Sequence, residues 1–223
     1  GAAKNIFGMA RKTVEIEMNS CCDNPILWTD GVTSEAISAC NPDSSYVGMA
    51  MDSCGIAATS LAKMSERRST RLIDSNMSGY KWYLTEDPGL SVGLMVPQYT
   101  QAGLLGEMRT LAYPASVDCT PTCGNQEDYV AMGYYACKKA TELAEKLEYV
   151  LAVELLSDVV AQGFMETEAK RSAASTKVYQ ILGEKLALTG KDQVWSGPIE
   201  TLREFIHSGE LIRLVEETTG GLK

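Results

Sequence analysis

Acids and amides crowd one short run of this sequence, Asn125-Gln126-Glu127-Asp128. A carboxylate there could hold an ammonium or imidazolium group through charge-assisted hydrogen bonds. The same residues at the opening of a long helix would be stabilised by its positive end, so a structural role stands beside the chemical one. Ser65-Glu66-Arg67-Arg68 concentrates charge at what reads as a helix end, where solvated or intersubunit ion pairs are the expectation. Asn41, followed by Pro42, fits a tight loop as well as it fits a ligand contact. The single histidine, His207, sits beside Phe205 and Ile206 on a short terminal helix and reads as a surface or satisfied group. Seven cysteines are an odd number, several of them inside apolar helical patterns, which points to free buried thiols in a reducing compartment. Cys119 and Cys123 have no second pair of matching spacing, so no metal is expected.

Helices must carry these residues. Val47, Ala50, Met51, Cys54, Ala57, Ala58, Leu61 and Met64 recur at the three-and-four spacing of one helix face, predicting a long amphipathic helix from about Tyr46 to Asp74. Ala2 to Met18 reads as helix too. After Pro97 and Gln98 a further stripe, Leu104, Leu105, Met108 and Leu111, runs until Pro114 stops it. A third long helix is predicted from about Glu127 to Met165, with Tyr134, Cys137, Leu147, Leu151 and Leu155 facing inward. Its length exceeds that of an ordinary globular helix and suits a bundle.

Beyond Gly163, Lys170, Arg171, Lys177, Glu184 and Lys185 mark a less apolar helix ending near Thr189 and Gly190. Short helices follow, one opening at Pro198 and one around Leu211 to Glu217. Ile26 to Trp28 and Val32 to Ile37, on either side of Asp30-Gly31, suit one small hairpin. The fold class is mostly α, a bundle with at most one hairpin. Residues 1–165 form its central half and 166–223 a peripheral layer of carboxy-terminal helices.

A hydrophobic content of 45% is enough to bury the core of one large domain or two small ones. The net charge of -9 argues against nucleic acid as a partner, because that affinity rests on clustered Lys and Arg. No run approaches the roughly 20 apolar residues of a membrane helix, and no charged-then-apolar leader opens the chain. A soluble, cytoplasmic protein with no membrane partner is the expectation.

A series of motifs in order carries a family likeness. Asn19-Ser20-Cys21-Cys22-Asp23-Asn24-Pro25 resembles the Asn-Ser-x-x-Asp-Asn-Pro segment of the histidine and aromatic amino-acid ammonia-lyases. Ser65-Glu66-Arg67-Arg68 is similar to the Ser-Glu-Arg-Arg of the bacterial histidine enzymes. Pro114-Ala115-Ser116-Val117-Asp118, Pro121-Thr122 and Asn125-Gln126-Glu127-Asp128-Tyr129-Val130 resemble that family's Pro-Ala-Ser-Val-Asp, Pro-Thr and Asn-Gln-Glu-Asp-His-Val run. The likeness covers about Gly1 to Met165, and the tail fits by length and composition.

The resemblance implies an elongated helical bundle of the ammonia-lyase type, assembled as a tetramer whose active sites combine several subunits. It implies an electrophile, methylidene-imidazolone, made by cyclising an internal Ala-Ser-Gly. No Ala-Ser-Gly occurs here, since Ala115-Ser116 is followed by Val117. The chain is therefore expected to be a carboxy-terminal half or subunit whose amino-terminal partner supplies the electrophile and the family's substrate-binding Tyr and Arg.

On that resemblance Glu127 is the catalytic candidate and Asn41 and Gln126 are substrate-binding candidates, with an amino acid losing ammonia as the reaction. Pro42 and Asp43, where the family has Phe and His, and Tyr80-Lys81-Trp82-Tyr83, in place of Leu-Pro-Pro-Phe, point away from histidine as substrate. An aminomutase using the same electrophile, or a noncatalytic helical assembly derived from the family, are the alternatives.

Overall fold

In a computed structural model of the chain, residues 1–39, 42–165, 171–189 and 191–222 are described. Helix α1 spans Ala2–Met18, strands β1 and β2 span Ile26–Thr29 and Ser34–Ile37, and α2 runs over Ser45–Ile73. Helices α3 (Ser75–Ser78), α4 (Met95–Leu111), α5 (Gly133–Gln162), α6 (Ala173–Leu186), α7 (Ser196–His207) and α8 (Glu210–Thr219) complete the order. The fold is mostly α, with one two-stranded antiparallel sheet among the described residues. Asn41 and the stretch 166–170, which adjoins the expected boundary at 165, lie outside the described residues.

The hairpin pairs Ile26 with Ile37 and Thr29 with Ser34. Its connection is longer than a two-residue turn. Asp30 Oδ1 accepts hydrogen bonds from the amides of Val32 (2.8 Å) and Thr33 (2.7 Å), and Gly31 at φ +88 supplies the left-handed step.

Contacts divide the chain into two compact units, Gly1–Ser60 with Met108–Ala144, and Leu61–Glu107 with Glu145–Lys223. In the first, the buried face of α2 falls on Gly48, Asp52, Gly55 and Ala58, while Met49 and Ile56 stay exposed. In the second, the same helix continues that face through Ala62, Ser65, Ser69 and Ile73. The predicted stripe is therefore displaced. Met64, expected inside, is 55% exposed, because small residues rather than bulky ones make the close helix contacts. A Cβ on Gly55 would stand 2.7 Å from Leu143 Cδ1, and one on Gly48 would stand 3.0 Å from the Cα of Gly133.

Helix α5 also differs from its prediction. It opens at Gly133, not near Glu127, and its buried residues are Ala136, Leu143, Val150, Val153 and Leu156. Tyr134 is 84% exposed, and Cys137, Leu147, Leu151 and Leu155 sit on the half-buried flank. Helix α4 starts ahead of its prediction, with Pro97 buried in its first turn, where a missing amide costs nothing.

The core of the second unit joins Ile73, Leu84 and Leu94 to Val153, Leu156 and Val159 of α5, and to Leu182, Leu202, Phe205 and Leu214 of α6, α7 and α8. The three terminal helices thus share one core with α5. Helix α7 begins at Ser196, with Pro198 in its first turn, and the side chain of Ser172 caps α6 by accepting from the amide of Ser175.

Candidate functional site

Between the end of α4 and the start of α5 the chain builds a small lobe, and the run expected to do chemistry lies on it. Residues 119 and 131 pair as an antiparallel bridge, and so do 122 and 127. The amide of Thr122 donates to the Glu127 carbonyl (3.1 Å), and the Glu127 amide donates back to the Thr122 carbonyl (3.3 Å). Cys123, Gly124 and Asn125 turn the corner with φ of 52, 65 and 68. Val130 donates its amide to Cys119 Sγ at 3.4 Å, closing the lobe nearer its root.

This pairing corrects the sequence reading of Gln126, Glu127 and Asp128 as a helix opening. The Gln126 and Glu127 amides serve the lobe, donating to the Cys123 and Thr122 carbonyls, and the first α5 bond runs from the Ala136 amide to the Met132 carbonyl. The helix-dipole role assigned to the acids therefore falls. Glu127 and Gln126 are both exposed. Among the described residues no hydrogen bond or ion pair occupies the Glu127 carboxylate, which leaves it open to a cationic partner.

The root of the lobe is held by charged side chains that motif and pattern did not single out. Asp52 on α2 is 7% exposed and Lys139 on α5 is 9% exposed. Asp52 Oδ2 accepts from the Ser116 amide at 2.7 Å, and its Oδ1 stands 3.5 Å from Lys139 Nζ. Lys139 in turn donates to the Tyr113 carbonyl. Burial pushes the Asp52 carboxyl up, but the Ser116 and Ala115 amides and the Lys139 charge outweigh it and hold the carboxyl below its ordinary range. A hollow of about 460 Å³ lies beside this junction, lined by Tyr113, Val117, Asp118, Met132, Tyr135 and Lys139. One signal was available: Asp52 is the only charged residue between Ser45 and Ala62.

Of the other candidates, Asn41 lies outside the described residues. Nearby Asp43 closes a turn just ahead of α2, accepting from the Ser45 amide at 3.0 Å and the Ser45 hydroxyl at 2.8 Å. Among the described residues no disulfide forms, and Cys21, Cys22 and Cys123 are exposed rather than buried.

In the second unit Ser65-Glu66-Arg67-Arg68 stands well inside α2, not at its end, and half of it is buried. Glu66 is 2% exposed and accepts from Arg67 (2.5 Å), Thr70 (2.8 Å) and Gln98 (3.0 Å). Burial raises the Glu66 carboxyl, yet these donors carry it below its usual value. Gln98 is half-buried, and the fully buried Gln101 donates to Ser65 and to the Val150 carbonyl.

A cavity of about 630 Å³ in the same unit is lined by Leu72, Leu155, Val159, Val178, Tyr179 and Asp158, and holds none of the candidate residues. Desolvation and then the Glu154 charge raise the Asp158 carboxyl to about 6 against the opposing pull of Arg68. His207 Nδ1 lies 2.9 Å from Glu148 and remains a surface group. No helix among the described residues is long and apolar enough to cross a membrane.

Comparison with known proteins follows the motifs. The family model described as aromatic amino acid lyase matches residues 1–184. The histidine ammonia-lyase of Symbiobacterium thermophilum is 38% identical over all of this chain, which spans 43% of that relative. A probable histidine ammonia-lyase of Thermoplasma acidophilum is 36% identical over 95% of the chain, which spans 42% of that relative.

Among solved structures, the histidine ammonia-lyase from Trypanosoma cruzi superposes with TM-score 0.91 at 27% identity, over 98% of this chain and 42% of that one. The tyrosine aminomutase from Streptomyces globisporus gives 0.90 at 28% identity, over 99% and 42%. The chain thus spans less than half the length of the relatives it matches. With 184 of its 223 residues inside the family model, it belongs to the aromatic amino acid lyase family.

Proposed function

We propose that this chain is the carboxy-terminal part of an amino-acid ammonia-lyase and works with an amino-terminal part bearing a cyclised Ala-Ser-Gly. The observation that carries the reading is the Glu127 carboxylate, exposed and uncommitted on a lobe braced by main-chain bonds, within a chain whose relatives are named histidine ammonia-lyase. The reaction expels ammonia from an α-amino acid without oxidation, leaving an α,β-unsaturated acid. Methylidene-imidazolone, when present, supplies the electrophile that turns the amine into a leaving group.

No Ala-Ser-Gly exists in this chain, so its own residues fit the wall of such a site rather than the group itself. Glu127 takes a proton from the substrate or steadies its ammonium, and Gln126 and Asn41 hold polar parts of the substrate. The partner reading has independent support. Helix α1 leaves Met9 and Met18 71% and 79% exposed, and β1 leaves Leu27 80% exposed, apolar surface that suits the companion part and further copies in a tetramer. A cytoplasmic location accompanies this reading.

Elimination is favoured over aminomutation by the names of the sequence relatives, whereas the aminomutase fold match keeps return of the amine to the β-carbon as a second reading. The test is purification from the native source, intact-mass measurement, and incubation with L-histidine, L-tyrosine and L-phenylalanine. A companion chain carrying Ala-Ser-Gly less two waters, with ammonia and an unsaturated acid released, is expected, and a β-amino acid product would point to the mutase. A stable oligomer of this chain alone, releasing no ammonia, would establish the noncatalytic assembly. Glu127→Gln in the active assembly is expected to lower kcat by about 100-fold.

A further inference from the structure

Among the described residues no hydrogen bond or ion pair holds the Glu127 side chain, so its placement depends on how the lobe is rooted. The contacts can be followed residue by residue. Thr122 pairs with Glu127, Cys119 pairs with Ala131, and the Asp118 amide closes a turn onto the Ala115 carbonyl. Ser116, inside that turn, is tied by its amide to Asp52, and Tyr113 is tied by its carbonyl to Lys139.

The other end of the lobe is Met132-Gly133. There a Cβ on Gly133 would stand 2.4 Å from Ser44 Oγ, so α5 begins in backbone contact with the residues that open α2. Everything from 117 to 130 is exposed or half-buried, while Asp52 and Lys139, which tie the root, are buried. A buried charge pair is retained at a desolvation cost and fixes geometry because each member has so few ways to satisfy its hydrogen bonds.

We infer that Asp52 and Lys139 are positioning residues, a buried clamp that fixes the root of the 117–131 lobe and thereby places Glu127. The inference rests on the proposed role of Glu127 for its catalytic consequence, but not for its structural content.

Two measurements on the protein as purified test it. Amide hydrogen exchange of Asp52→Asn and Lys139→Met is expected to rise about tenfold or more within 119–131, with 145–162 and 196–207 unchanged. Lys139→Arg, which keeps the cation, stays near wild type. Where Asp52→Asn does not fold, the two Lys139 variants carry the comparison.

In the active assembly, Asp52→Asn is expected to lower kcat about tenfold with KM changed less than about threefold. Added to Glu127→Gln it lowers kcat no further, since a group acting through Glu127 has nothing left to position. Unchanged exchange in the lobe, or a rise spread equally over both units, overturns the clamp. Losses that multiply in the Glu127→Gln background overturn its action through Glu127. A wild-type assembly inactive on every amino acid would instead remove the catalytic reading of Glu127, and exchange alone would then decide whether the pair holds the lobe.

Discussion

Gly133 and Ser44 meet so closely that a methyl group on the glycine would lie 2.4 Å from the serine hydroxyl and 2.7 Å from its carbonyl oxygen. Gly133→Ala is therefore expected to destabilise the protein by about 2 kcal/mol, since the backbone carbonyl cannot give way as a side chain can. Gly48→Ala meets Gly133 at 3.0 Å and should cost less. Gly106→Ala on α4 meets nothing within 4 Å and should be neutral or stabilising by up to about 1 kcal/mol. Thermal melts of the three variants check that order.

Glu66 predicts a stability that depends on acid. Its carboxyl is held below the ordinary 4.5, so the stabilisation is complete above that pH and is lost as pH falls through the lower folded value. Glu66→Gln should cost about 2 kcal/mol at pH 7, because Thr70 and Gln98 lose a charged acceptor. The deficit should narrow when urea titrations are repeated at about pH 3.

Asp158 works in the opposite direction. Its carboxyl titrates at about 6 in the fold against an ordinary 3.8, so the fold favours the protonated form. That contribution is complete below 3.8 and is lost as pH rises through 6, leaving a charged group that weakens the fold. Asp158→Asn should raise stability at about pH 8 by roughly 1 kcal/mol, a figure reduced for the solvent that screens this exposed group. Near pH 4 the variant and the wild type should converge, and equal differences at both pH values would refute the assignment.

His207 is raised by its hydrogen bond to Glu148 and then by that carboxylate's charge. Its contribution is present below the ordinary 6.5 and is lost as pH rises through the raised folded value. His207→Gln should lower the Tm slightly at about pH 6 and not at all at about pH 9. A scanning-calorimetry series across that range measures it.

Helices α1 and α2 were legible because runs such as Ala2 to Met18 keep helical character with no proline inside them, and the hairpin was legible from Asp30-Gly31. The inward face of α2 was legible only at Ala57 and Ala58, because a scale that rewards bulky apolar residues passes over Gly48, Gly55, Ala62 and Ser65, whose merit is to let neighbours approach. The start of α5 was misplaced because Gln126, Glu127 and Asp128 look like a helix opening. The Glu127 and Gln126 amides are claimed by Thr122 and by the turn at Cys123, through main-chain bonds that leave no trace in side-chain pattern.

Asp52 and Lys139 stand 87 positions apart, and nothing local in either segment announces the other. The motif run at 125–130 was readable from the resemblance alone, whereas its support at 113–116 became visible only once the chain was folded.

Thr122 and Glu127 are joined by main chain only, so what the fold specifies at position 127 is a location and not a functional group. An amide, a hydroxyl or a hydrocarbon placed there inherits the same address without asking the scaffold to refold. Such a mount lets selection or an engineer change what the surface recognises while the frame beneath it stays the same.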